Sequence, residues 1–157
     1  MEQNKGCLGI FLSIIDNILG VQKKPSVEYP YKLSSSVLTK AEISFYHVLA
    51  QSIPQNTVLL SKVRLADFIK ISGGFDRSAF NRIAMKHVDF LLCDFNTLAP
   101  LLAIELNDSS HSKKKTIERD EFVRKVYEVC SLPIVCVRCS KTYVQSDISK
   151  LIEEKII

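Results

Sequence analysis

Apolar residues recur at helical spacing at Ile43, Tyr46, Leu49 and Ile53, with Phe45 and Ala50 beside them. That period predicts a helix with one buried face. Thr39-Lys40-Ala41-Glu42 stands at its start as a capping box, in which Thr and Glu each satisfy a free backbone N–H. Pro54 ends it. Thr57 to Leu65 is rich in strand-forming residues, and Val58, Leu60, Val63 and Leu65 share the core if the strand bends near Ser61. A short helical turn is expected over Ala66 to Ile71, a break at Ser72-Gly73-Gly74, and a second short helix over Arg77 to Ala84. His87 to Asp94 and Leu101 to Leu106 are nearly continuous apolar runs joined by a polar turn, which reads as an antiparallel hairpin covered on both faces. After a polar loop from Asp108 to Lys115, Thr116 to Cys130 reads as a helix with Phe122, Val126 and Val129 inward. A strand over Leu132 to Arg138 follows. A last helix, capped by Ser146 or Asp147, runs toward Ile156. Alternating helices and strands of this kind form an α/β sandwich.

The first residues fit this pattern poorly. Cys7 to Val21 is mostly apolar but too short to span a bilayer, which takes about 20 apolar residues. Glu2 beside Lys5, and the lack of a small-residue cleavage site, argue against a secretory signal. Three readings stay open for it: an amphipathic helix packed on the domain, an interfacial membrane helix giving weak membrane contact through residues 7–21, or a degraded anchor. A helix followed by a linker over Lys23 to Tyr31 is preferred, dividing the chain into a segment 1–31 and a domain 32–157.

With 157 residues, 46% hydrophobic and 24% charged, the chain is long enough for one domain with a real core and is not of disordered composition. Its net charge of +4 permits nucleic-acid binding without demonstrating it. The five cysteines are odd in number and mostly lie in apolar runs, so they are expected to be buried thiols in a reducing cytoplasm. Cys136 and Cys139 have a C-x-x-C spacing, but no second pair completes a zinc site, and strand packing explains them better.

The chemistry enters with two acids placed inside apolar strands, Asp89 and Glu105. A charged group in such a run is desolvated unless it is paired or bound to a metal. Hairpin pairing brings the two onto one face, where a divalent cation removes their mutual repulsion. Mg²⁺ takes oxygen ligands and usually only one or two protein carboxylates. This fits metal-assisted phosphodiester hydrolysis, in which the cation activates a water and stabilises charge on the phosphate. Each acid taken alone has a plainer reading, as a sheet-edge carboxylate or as the partner of an arginine such as Arg64 or Arg138. If the two carboxylates pointed to opposite faces of the sheet, the metal-site reading would fail.

Several segments, in order, resemble a known family. They are Leu38 to Glu42, Lys62 to Asp67, Lys86 to Asp94, Leu102 to His111, and Arg119-Asp120. From about Leu33 to Leu151 the sequence resembles the bacterial domain of unknown function 2726. That domain is similar to very-short-patch-repair-like endonucleases of the PD-(D/E)XK superfamily. The resemblance implies a restriction-endonuclease-like α/β core, a central mixed β-sheet flanked by helices, and a DNA-directed nuclease using Mg²⁺ (or Mn²⁺). It implies that Asp89 and Glu105 bind the metal, with the backbone carbonyl of Leu106 as a further ligand. Glu42 matches a helix acid that supports the metal site in some members, and Asp120 resembles an acid of the repair-type enzymes. Glu42 is equally explained by its capping box, and Asp120 by the helix dipole.

The resemblance has one departure. The superfamily's lysine, two positions after the second acid, falls at Asn107, which can hydrogen-bond a water but carries no charge. His111, just beyond, is either a water-orienting base or an ordinary loop histidine. Lys62, Lys86 and Lys113 are three places from which the missing charge could come. The run Lys113-Lys114-Lys115 with Arg119, and Lys62, Arg64 and Lys86, are the candidate phosphate contacts. A nuclease-like fold that binds nucleic acid without cutting it is the alternative, and Asn107 is its support.

Overall fold

A computed structural model of the chain describes residues 29–107 and 114–156, apart from the side chains of 114–120. The Cys7 to Val21 segment, the loop residues His111 and Lys113, and Cys7 lie outside the described residues. One compact unit runs from Ser36 to Ile157. The other, Met1–Ser35, lies outside the described residues in all but its last few positions.

Helix α1, Lys40–Ser52, starts where the capping box places it: Thr39 Oγ1 accepts the Glu42 N–H at 3.3 Å, and Glu42 Oε2 accepts the Thr39 N–H at 2.8 Å. Strand β1, Thr57–Arg64, leads straight into the single turn α2, Leu65–Phe68. Helix α3 spans Arg77–Ala84, capped by Asp76, whose carboxylate accepts the N–H groups of Ser78 and Ala79. Strands β2, His87–Asp94, and β3, Pro100–Asn107, form the expected antiparallel hairpin. Helix α4, Lys114–Val129, carries the chain to β4, Ile134–Arg138, which pairs parallel to β3, and α5, Gln145–Glu153, completes the domain.

The result is a four-stranded mixed sheet in the order β1-β2-β3-β4, flanked by helices. Both faces are covered, as the continuous apolar runs require. On one face Phe45 and Leu49 of α1 and Ile148 and Ile152 of α5 pack on Phe90, Leu92, Leu102, Ile104 and Val135. On the other, Leu65, Ile83 and Tyr127 of α2, α3 and α4 pack on Leu91, Cys93 and Ala103. The hairpin turn is held by Asp94, whose Oδ1 accepts from Asn96 N, Thr97 N and Thr97 Oγ1, a use that suits a short acidic side chain. The Thr97 backbone N–H and the Thr97 hydroxyl, with the Asn96 N–H, hold this carboxyl below the usual aspartate value despite some desolvation.

Three expectations need correction. The inward stripe of α4 is Phe122, Val123, Val126 and Tyr127, while Val129 is 76% exposed; the stripe ends at Tyr127, short of where apolar character alone carries it. Neither Ser146 nor Asp147 caps α5. Val144 stands at the cap without a side-chain bond, and the two polar residues sit in the first turn, where Asp147 suits the positive end of the dipole. Of the described cysteines only Cys93 is buried; Cys130 and Cys136 are exposed and Cys139 is intermediate, all as free thiols. Cys136 lies on β4, the edge strand of the sheet, two residues past Ile134 on the same face and beyond the cluster that Ile134 joins.

Candidate functional site

The geometry begins with register. β2 pairs with β3 through Leu91↔Ala103 and Phe90↔Ile104. Asp89 and Glu105 are the next residues on their strands, and alternation in β2 breaks at Asp89, because Phe90 packs in the α1–α5 cluster and Val88 in the α2–α4 cluster. The regular ladder stops at Phe90↔Ile104, and the carboxylate of Asp89 enters at this point: its Oδ2 accepts the backbone N–H of Leu106 at 3.0 Å. On the other side of β2, the pairs Ser61↔Phe90 and Val63↔Val88 bracket Lys62 opposite Asp89. Lys62, Asp89 and Glu105 thus lie in a row across three strands.

Lys62 is the pivot. Its Nζ lies 2.6 Å from Asp89 Oδ1 and 2.7 Å from Glu42 Oε1. The three side chains are largely shielded, with 29%, 17% and 12% of Lys62, Asp89 and Glu42 exposed. Glu42 therefore holds two positions at once: one oxygen closes the capping box of α1 and the other binds Lys62. Burial lowers the pKa of the Lys62 ammonium, but its hydrogen bonds to Asp89 and Glu42 and their charges outweigh this and raise it above the usual lysine value. The backbone at Lys62 has φ +55°, in the left-handed region, which costs a non-glycine residue about 1–3 kcal/mol. This is the bend expected near Ser61. It lets Leu60, Val63 and Leu65 all meet the same apolar cluster, which strict alternation forbids.

Two measurements test this pivot. Ala at position 62 keeps the strained backbone and loses the ion pairs; Gly loses the pairs and relieves the strain. Lys62→Gly is therefore expected to be more stable than Lys62→Ala by about 0.5–1 kcal/mol, the reverse of the usual order inside a strand, as read from urea denaturation midpoints. The second is pH. A lysine with a raised folded pKa contributes stability that is fully present below its unfolded value of 10.5 and is lost as pH rises through the folded value. The stability difference between the native chain and Lys62→Met is thus expected to be flat through neutral pH and to shrink only above 10.5.

The cluster on the α2–α4 side of the sheet holds a residue that periodicity alone does not single out. Tyr127 is fully buried in the cluster formed with Leu91 and Ala103, the residues two positions from Asp89 and Glu105 on their strands. Its hydroxyl has no hydrogen-bond partner among the described residues. Burial pushes the phenol pKa up, and the negative charges of Glu105 and Asp89, with a smaller effect of Cys136, push it further, so the phenol is neutral. Leaving a buried hydroxyl unsatisfied costs about 1–3 kcal/mol.

The other expected site residues are scattered. Asn107 is exposed at the end of β3, and its backbone carbonyl accepts the Cys139 N–H at 2.9 Å. Arg64 is exposed and pairs with Asp67 at 2.6 Å. Lys86 lies 5.7 Å from the ring of Phe122, over which the Arg82 guanidinium stacks at 4.0 Å. This cation–π group joins α3 to α4. Lys114, Lys115, Arg119 and Asp120 lie on α4, in the part whose side chains are not described. Among the described residues no three His, Cys, Asp or Glu side chains converge to hold a metal ion. The donor set is smaller: two carboxylates on facing strands, one of them already against a cation. Oxygen-only donors of this kind fit a hard divalent ion that takes one or two protein carboxylates, and do not fit zinc.

A family model described as Protein of unknown function (DUF2726) matches residues 34–156. The chain belongs to this family. The DUF2726 match covers the sheet, both helical layers and every residue of the Lys62–Asp89–Glu105 row. No curated protein and no solved structure matches the chain. Among the described residues of this DUF2726 protein, no helix is long and apolar enough to cross a membrane.

Proposed function

We propose that this DUF2726 protein is a divalent-cation-dependent phosphodiester hydrolase of the restriction-endonuclease-like, PD-(D/E)XK type, acting on DNA. The observation that carries the reading is the ion pair between Lys62 and Asp89. The lysine that this chemistry ordinarily has two residues after the second acid is absent at Asn107. Lys62 brings an ammonium to Asp89 from β1, across the sheet rather than along the strand.

In this reading Asp89 and Glu105 hold Mg²⁺ or Mn²⁺, joined by the backbone carbonyl of Leu106. When bound, the cation supplies a Lewis acid for the phosphate and lowers the pKa of a water. The protein's own groups do the rest. Asp89 is fixed by the Leu106 N–H and by Lys62, so one carboxylate oxygen has a set direction. Were Asp89 engaged by a cation, Lys62 would exchange that carboxylate for the phosphate oxygens, where a fixed positive group stabilises developing charge. Glu42 keeps hold of Lys62 during that exchange. Asn107 and His111 orient water, and the lysines and arginines of α4 hold the phosphate backbone.

The test is cleavage of supercoiled plasmid and of oligonucleotide duplexes with Mg²⁺ or Mn²⁺. Nicking that EDTA abolishes, and that Asp89→Ala and Glu105→Ala both lack, is the expected result. A second reading has its own support in Asn107, which carries no charge where this chemistry has a lysine: a nucleic-acid-binding module without catalysis. DNA binding that EDTA leaves unchanged, with no cleavage, would decide for it.

A further inference from the structure

We propose that Tyr127 is a positioning residue of the cation site, its hydroxyl donating a hydrogen bond to the Glu105 carboxylate when a divalent cation is bound. The inference rests on the reading of Asp89 and Glu105 as cation ligands and adds a residue to it. Three observations support it. Tyr127 is fully buried, so its hydroxyl has no route to bulk water. The hydroxyl has no partner among the described residues, although phenylalanine would fill the same apolar space without that loss. Tyr127 belongs to the same buried cluster as Ala103, which shares a strand face with Glu105, two residues on in a ladder with β4 that runs unbroken through both.

The chemistry of the phenol agrees. Burial and the charges of Glu105 and Asp89 favour the neutral form, which has one proton to give. Beside two carboxylates a donor is the useful group and an acceptor is not. A carboxylate that ligates a cation through one oxygen and accepts a hydrogen bond at the other is held in one orientation, and removal of such an outer partner typically weakens metal binding by about 10–100-fold. The unsatisfied hydroxyl is then a feature of the free protein that binding corrects.

The experiment compares the full chain with Tyr127→Phe. Mn²⁺ and Mg²⁺ affinity are measured by titration calorimetry, and thermal stability is measured without metal. The expected result is a fall in affinity of about tenfold or more, with a cation-free melting temperature equal to or above that of the native chain. An affinity within about threefold of native overturns the proposal and leaves the function reading standing. A melting temperature that falls in the absence of cation overturns it too, because the hydroxyl would then already be bonded in the free protein. If the native chain binds neither cation and cuts no DNA, the function reading fails and this proposal fails with it.

Discussion

Glu105→Gln is expected to slow cation-dependent DNA cleavage by about a thousandfold or more while leaving the protein folded. Gln keeps the volume of the side chain and removes only its charge. Glu105 stands half-buried near the end of β3, past the last regular ladder pair with β2. A stability change within about 1 kcal/mol is the expectation for such a substitution. The cleavage loss follows from the proposed role of the charge: Asp89 and Glu105 are the two acids assigned to the cation, and halving that pair removes interactions worth several kcal/mol in the transition state, with each 1.4 kcal/mol being about tenfold in rate. Initial nicking rates at saturating Mg²⁺, with circular dichroism melts of the same samples, make the comparison. Cleavage within about tenfold of native by a folded Glu105→Gln chain would falsify the assignment of Glu105.

Phe45→Ala is expected to lower stability by about 3–5 kcal/mol. Phe45 is fully buried, its ring 5.7 Å from that of Phe90 and 4.9 Å from that of Tyr143. It joins α1 to β2 and to the segment that enters α5. A domain of this size has about 5–15 kcal/mol in all, so the loss would take a large part of it. The urea midpoint should fall with no change in slope, which marks a change of stability rather than of the unfolded state. A loss below about 1.5 kcal/mol would mean that neighbouring rings close over the cavity. The effect on the site would be indirect, through α1, because Glu42 begins that helix and also binds Lys62.

What the sequence discloses about this fold is what short-range chemistry controls. The capping box at Thr39 and Glu42, the hairpin over β2 and β3, and the helix Arg77–Ala84 all depend on residues within a few positions of each other. Even the bend in β1 is legible, because Leu60, Val63 and Leu65 reach one core only if alternation breaks between them. The pairing of Lys62 with Asp89 is another matter. It depends on the register of two strands separated by two helices, and nothing local distinguishes Lys62 from Lys86 as the source of the charge absent at Asn107. Tyr127 was hidden for a different reason: its helix has apolar residues at several spacings, and Val129 extends the periodicity as plausibly as Tyr127 does. Only the packed structure shows that the phenol is fully covered and the valine is in water. Buried polar tips on otherwise apolar residues are the signal that would have drawn attention to it.

Asp89 has both of its oxygens engaged before any ligand arrives, one by the Leu106 N–H and one by the Lys62 ammonium. The rotational freedom of this side chain has been surrendered during folding. Association of a cation then need not immobilise it, a saving of about 0.5–1.5 kcal/mol for each side chain already fixed. The entropy of binding at this carboxylate should accordingly be dominated by released water, since Glu42 still holds the lysine chain.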